Sequence, residues 1–388
     1  MNNFQYIYKK SPPELSFPSQ KDENWKHVNV KSLKKYTDNK IKSDDIFKLD
    51  EKANLDCDLL IDNNYLSTST DIHSDISIKI IQPKDIKNLP REIRTRIGKI
   101  AKNQDYFLTQ NTKYFKQLVL IEINKNISDS TLLNINLKSF KKNDIKPRFF
   151  IHVNSGADAT INVNFDNQDS FVNGVFEIQL EPNAKVDFFC HSEGKKSFEI
   201  TNYWVDIKEG AKFSATFTSL GSEQIIKNDI RTNLIGENAD VDLAGLYVPK
   251  SKSTFDYNLK INHKVKKTTS SQLFKGILNK NSRASFTGLV KIDKDCSDCK
   301  SFQANNNLLL SEKAQIKSDP QLEIYCDEVE CSHGSTIGQF DEDALFYICS
   351  RGISKKNAKN IMLEAFYSDV LDRVINLSLK ESIKERVL

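Results

Sequence analysis

No stretch of this chain stays apolar for the roughly 18 residues that a membrane helix requires, and neither sign of charge dominates. Its 388 residues carry 56 Lys and Arg against 52 Asp and Glu, a net charge of +4. The first absence argues against insertion into a membrane by a helix. The second argues against the basic surface that nucleic-acid binding needs. The opening Met1-Asn2-Asn3-Phe4-Gln5-Tyr6 lacks the basic-then-apolar pattern of a secretory signal. Seven cysteines form an odd number with no regular spacing, which fits a reducing compartment better than a disulfide framework. A cytoplasmic protein is expected. No Gly-x-x-x-x-Gly-Lys-Ser/Thr loop occurs; the nearest fragment, Gly194-Lys195-Lys196-Ser197, has Phe189 where the first glycine belongs. Gly-x-Ser-x-Gly is missing and the six histidines are dispersed. Neither ATP hydrolysis nor serine hydrolysis is expected of the chain.

What the chain has is enough apolar content, 38% at a mean hydropathy of -0.51, to bury a core across two or three domains. It also has a repeat. A turn residue followed by alanine and then alternating apolar positions occurs at Gly156-Ala157, Asn183-Ala184, Gly210-Ala211 and Asn238-Ala239, so the alanines step by 27, 27 and 28 residues. Such a period means a solenoid. Weaker copies at Ser282-Arg283-Ala284 and Ala314-Gln315-Ile316 come at longer steps, which imply inserted loops. Runs between the turns, such as Val175 to Leu180 and Phe213 to Phe217, are rich in strand formers. The expected fold is mainly β: a parallel β-helix in which each coil buries its inner face only by stacking on its neighbours. Gly or Asn at the turn permits positive φ, and alanine beside it lets coils approach. Both ends of a solenoid expose strand edges, and the N-terminal region and the residues after Gly334 are placed to cover them.

Residues 1–117 read as a helix-rich region with loops, punctuated by Pro12-Pro13 and Pro18, with a turn at Asp62-Asn63-Asn64. Trp25 reads as a core anchor with a hydrogen-bonded indole. Tyr106 to Gln117 has helical spacing and Leu118 to Ile123 switches to strand. Residues 118–340 form the β-helix and residues 341–388 a C-terminal helical domain. In that domain Ala358, Ile361, Met362, Ala365 and Phe366, then Val370, Val374 and Leu377, make an apolar stripe that must dock on something.

The densest set of metal-capable side chains lies in residues 318–353. Leu322, Ile324 and Cys326 alternate as in a strand, Gly334 and Gly338 break the pattern, and a helix starts at the N-cap Asp341 and ends at Arg351-Gly352. Ser354 caps the next. Cys331 and His333 are two apart, so on a strand both project from one face. Taken alone, each reads more readily as a buried structural residue than as a ligand. Cys296-Ser297-Asp298-Cys299 has a metal-like spacing but no second close pair. With Cys326 and Cys331 it makes a four-thiolate set on paper, while two loop cysteines is the simpler reading. Cys57, Cys190 and Cys349 have no companions and read as core.

Residues 318–353 closely resemble the C-terminal signature of the SufB/SufD family of iron-sulfur cluster assembly subunits. The resemblance rests on Cys331-Ser332-His333-Gly334, the Asp341-Glu342 helix start and the run from Phe346-Tyr347 to Arg351-Gly352-Ile353. Cys331-Ser332-His333-Gly334 points to the SufD branch. Pro18 to Trp25 supplies a second match, and Asn305-Asn306-Asn307, before Leu308-Leu309, lacks the cysteine of the SufB branch. The resemblance implies a right-handed parallel β-helix flanked by N-terminal and C-terminal helical regions, and no enzymatic activity of its own. It implies pairing with a SufB-like paralogue and capture of a SufC-like ATPase by the C-terminal helices, with Phe346, Tyr347, Arg351, Ile361 and Phe366 as candidate contacts. His333, and with it Cys331, becomes the candidate for nascent cluster assembly at the partner interface and for metal ligation. No cofactor is expected to be permanently bound, only transient iron or an iron-sulfur cluster. Two alternatives remain at this point: a SufB-like scaffold in a complex of one subunit type, or a carbohydrate-active β-helix enzyme. The latter needs paired carboxylates or a bound cation in an exposed groove.

Overall fold

The computed structural model describes residues 3–7, 15–34, 48–52, 55–63, 65–101, 105–124, 131–374 and 377–387. The prolines expected to punctuate the start at 12 and 13, and Asn64 of the expected turn, lie outside them. Four strands come first: β1 (Lys48–Lys52), β2 (Leu59–Asp62), β3 (Tyr65–Ser69) and β4 (Ile76–Ile81). The chain then winds between two sheets. One gains β5 (Leu118–Ile123), β8 (Arg148–Val153), β10 (Phe171–Leu180), β12 (Phe198–Ile207), β14 (Ile225–Leu234), β16 (Thr254–His263), β18 (Arg283–Ile292) and β20 (Gln315–Ile324). The other gains β6 (Thr131–Ser139), β9 (Asp158–Gln168), β11 (Lys185–Lys195), β13 (Lys212–Ser222), β15 (Asp240–Lys250), β17 (Thr269–Leu278), β19 (Cys299–Leu309) and β21 (Val329–Gly338). The short β7 (Asp144–Ile145) pairs with β10. Successive coils pair in parallel, giving a β-solenoid of about 8 turns.

The turn chemistry works as the repeat predicts. Gly156, Asn183, Gly210 and Asn238 have φ of 67, 61, 62 and 58°, the left-handed region in which Gly and Asn cost least. Ala157, Ala184, Ala211 and Ala239 are buried between coils, and their carbonyls accept from Lys185, Lys212, Asp240 and Thr269 of the next coil. The copies at Ala284 and Ala314 are a correction. They stand at the start of β18 and β20, in the other sheet, so no inserted loop separates them from Ala239. The first series instead continues through Thr268, whose carbonyl accepts from Lys300. Cys299 pairs with Val329 at the start of the last coil. Larger residues replace alanine there, which hides the period from a search for small ones.

Inside the solenoid, Phe149, Phe176 and Tyr203 stack coil upon coil with ring centroids 4.5 and 5.2 Å apart, within the favourable range for offset rings. The region before residue 118 is less helical than its sequence suggests. The strands β1 to β4 extend both sheets, with β4 antiparallel to β5 and β2 antiparallel to β3. Each holds only 4 to 6 residues, too few to show a clear period. Its helices are short: α1 (Phe4–Ile7), α2 (Arg91–Arg94) and α3 (Tyr106–Tyr114). Trp25 is 3% exposed and donates its indole N–H to Asp105 Oδ2 at 2.8 Å, as expected of an anchor.

The C-terminal helices are α4 (Glu342–Ser350), α5 (Lys355–Leu371) and α6 (Leu377–Val387). Asp341 caps the first and Ser354 the second. These helices do not cover the end of the solenoid. Leu363, Tyr367, Val370 and Leu371 of α5 join one apolar cluster with Phe189, Leu220, Leu246 and Ile277, on the outer flank. Strands of the middle coils are apolar on both faces, so their outer face takes the helices. Lys275 Nζ donates to Phe366 O at 2.6 Å and pairs with Asp369 at 2.7 Å; Arg373 pairs with Asp242 and Arg386 with Glu193. Among the described residues no helix is long and apolar enough to cross a membrane.

Candidate functional site

Because the helices go to the flank, the last coil is left bare. β20 and β21 are the terminal strands of their sheets, each ten residues long, and most of their residues are half-buried or exposed. An edge of that length offers unpaired backbone donors and acceptors to another chain. Ile324 is 39%, Tyr325 54% and Ile337 52% exposed, so a few apolar side chains stand out on an unpaired edge that is otherwise polar. The expected break does not occur at Gly334, which β21 runs through, but the strand does end at Gly338.

Cys331 and His333 lie on β21, on the same side, as predicted for a strand. Register places Cys331 beside Ser301 and His333 beside Gln303. Ser301 and Gln303 are buried lumen residues, so the two candidates continue the inner row of the solenoid at its open end. His333 is exposed and Cys331 half-buried.

The lumen under them is polar, unlike the core further back. Ser270 donates to Ser301 at 2.8 Å, and Gln303 Nε2 to Gln272 Oε1 at 2.9 Å. Asn305 Nδ2 donates to Tyr247 Oη at 3.0 Å, and Ser318 Oγ to Asn305 Oδ1 at 2.7 Å. His263 is fully buried between Thr268 Oγ1 at 2.7 Å from Nδ1 and Ser270 Oγ at 2.9 Å from Nε2. Burial holds its pKa down to about 4, so it is neutral near pH 7. Gln272, Gln303 and His263 do not stand out in the sequence, and Asn305 does so only within the Asn305-Asn306-Asn307 run. Their one signal is a polar side chain at positions where earlier coils carry Leu or Phe.

The cysteines of the Cys296-Ser297-Asp298-Cys299 turn are buried, and they pack in one cluster with Cys326 and Cys331 of the next coil. Cys299 Sγ is 3.1 Å from Thr268 Oγ1. The four cysteines that make a set on paper thus share one packing cluster, but among the described residues no three metal-capable groups converge on one point. Burial pushes Cys296 up to about 11, helped by Cys299, and raises Cys331, again with Cys299 adding to it. Both stay protonated near pH 7 unless a cation favours the thiolate. Cys57 and Cys190 are buried and Cys349 is half-buried.

On the helical side, Phe346 is 75% and Tyr347 59% exposed on α4, and Ile361 is 47% exposed on α5. Arg351 lies over the Tyr347 ring, 5.1 Å from its centroid. Phe366 is different: it packs against the flank cluster with Lys275 Nζ 5.1 Å from its ring centroid.

A family model described as the SufBD core domain of the SUF system for FeS cluster assembly matches residues 136–366, from within β6 of the solenoid to within α5. The chain belongs to the SufB/SufD family. Within that family the iron-sulfur cluster assembly protein SufD of Escherichia coli is 24% identical, over 95% of this chain and 88% of its own length. A SufBD family protein of Synechocystis is 27% identical over 63% of this chain and 56% of its own. The chloroplastic protein ABCI7 of Arabidopsis thaliana is 26% identical over 62% and 52%. The family sets the chain in iron-sulfur cluster assembly and takes the place of the carbohydrate-active alternative.

Proposed function

We propose that the chain is the SufD-type, non-enzymatic subunit of a cytoplasmic iron-sulfur cluster assembly complex. It pairs edge to edge with a SufB-type subunit along β20 and β21 and holds a SufC-type ATPase through Phe346, Tyr347, Arg351 and Ile361. His333, with Cys331 beside it, meets the nascent cluster, which is cargo and not a resident cofactor. The observation that carries this reading is the bare last coil: the chain covers its flank with helices and leaves two ten-residue edges open. His333 stands on one of them.

The chemistry follows from the residue types. A neutral imidazole offers one lone pair to iron, and a thiolate offers charge as well. The raised Cys331 thiol yields its proton only when a cation is close, so it suits a site that ligates while loaded and is inert when empty. The ATPase supplies the energy; its closure would shift the position of the two edge-paired subunits.

The test is a block on the edge. Ile337→Pro removes a backbone donor that faces outward from β21, since the alternate residue Thr336 faces β19, and is expected to abolish copurification with the SufB-type partner while leaving the SufC-type partner bound. Retention of both partners would remove the edge from the proposal. The single-type scaffold draws on the four clustered thiols; a stoichiometric cluster on the isolated chain would select it.

A further inference from the structure

The lumen row that ends at His333 changes character along the solenoid. In register it runs Phe188, Ala215, Leu243, Gln272, Gln303 and His333. The two glutamines are 2% and 4% exposed. Gln303 Nε2 donates backward to Gln272 Oε1. An amide carries its donor and its acceptor on different sides of one carbon, so Gln303 Oε1 takes no part in that bond.

Two atoms of this pair are buried without a partner, Gln272 Nε2 and Gln303 Oε1. The first meets the coil of Leu243, whose side chain has no acceptor. The second is in register with His333, and an imidazole carries an N–H in either tautomer. Same-face neighbours on adjacent strands are about 4.8 Å apart at the backbone, within reach of both side chains. Room for the amide comes from the opposite sheet: a Cβ at Gly288 would lie 2.1 Å from Gln303 Nε2.

We propose that Gln303 is a positioning residue for His333: its Oε1 accepts the N–H of one ring nitrogen and leaves the other as a lone-pair donor toward the open end. A buried acceptor of this kind fixes the tautomer of a ligating histidine, and losing it typically costs about 10- to 100-fold in metal affinity or activity. The use of that lone pair rests on the reading of His333 as the residue that meets the cluster. The tautomer does not.

The experiment is a histidine ¹⁵N correlation spectrum of the full chain near pH 8, free and in complex with the SufB-type partner, with His333 assigned from His333→Ala. Wild type and Gln303→Glu, which keeps the acceptor, are expected to show one neutral tautomer of His333 in the complex. Gln303→Met, of similar volume without an acceptor, is expected to show the mixture of a free imidazole. If Gln303→Met does not fold, Gln272→Met releases the amide from behind and is expected to give the same mixture. A mixed population in wild type, or a single tautomer that persists in both methionine variants, overturns the assignment. Cluster assembly that survives His333→Ala would remove the function of the lone pair and leave the tautomer result standing.

Discussion

Trp25 and Asp105 are joined across 80 residues by one hydrogen bond, indole N–H to carboxylate, at 2.8 Å. Asp105 also accepts from the backbone of Phe107 and Leu108 as the N-cap of α3. The N-terminal segment is thereby tied to the helix that leads into the first coil. Burial pushes the Asp105 pKa up and the Trp25 bond pulls it down. Trp25→Phe keeps an aromatic ring but removes the donor and part of the buried indole, so a loss of about 2–4 kcal/mol in urea unfolding is expected. An unchanged midpoint would mean that the bond contributes nothing.

Glu199 gives the solenoid a pH dependence. It is fully buried, accepts from Ser192 Oγ and from Asn167 Nδ2 at 2.8 Å, and has its pKa raised to about 7, chiefly by burial. A raised carboxyl means that the folded state binds more protons than the unfolded state between roughly pH 4.5 and 7. Stability therefore falls as pH rises through that window, by about 3 kcal/mol in all. Glu199→Gln imitates the protonated form. Its Tm is expected to exceed wild type at pH 8 and to vary less between pH 5 and 8; parallel profiles would contradict the assignment.

Gly245 shows how tightly adjacent coils pack. It pairs with Phe274, and a Cβ there would lie 2.3 Å from the Phe274 ring. Gly245→Ala is expected to cost about 1–3 kcal/mol as overpacking. Adding Phe274→Leu should recover part of that loss, and a double mutant no better than the sum of the singles would contradict the contact.

Lys275 is the pin between solenoid and helices, with one bond to the Phe366 carbonyl and one to Asp369. Lys275→Met is expected to raise amide exchange in α5 about tenfold, the equivalent of about 1.4 kcal/mol, while β10 to β14 stay protected. Unchanged exchange in α5 would show that the apolar contact alone holds the helix.

Much of the coil was legible because its turns need a special backbone. Gly156, Asn183, Gly210 and Asn238 punctuate the sequence since Gly and Asn adopt positive φ at least cost, and their spacing is the coil period; the opposite turns reach the same region with Asp169, Lys196, Glu223, Ser251 and Lys280 and leave no such mark. The later coils were misread because Thr268 and Cys299 stand where alanine stood, while Ala284 and Ala314 mark the opposite sheet. The helix caps Asp341 and Ser354 were visible as local chemistry. The flank docking was not, because an outer apolar residue such as Phe189 or Leu246 looks like core in sequence. At the site, the spacing of Cys331 and His333 gave their shared face. The amides beneath them come from coils 30 and 61 residues earlier, and only the register brings Gln303 and Gln272 under His333.

The central claim is that His333 serves the cluster and not the assembly of the subunits. Its most direct test is coexpression of the tagged chain with its SufB-type and SufC-type partners, followed by native mass measurement and iron and sulfide analysis of the purified complex. The expected result for His333→Ala is a complex of unchanged mass with iron and sulfide reduced at least tenfold, the scale typical of losing a group that orients or holds a metal. Iron and sulfide at wild-type levels in a complex of unchanged mass would contradict the claim.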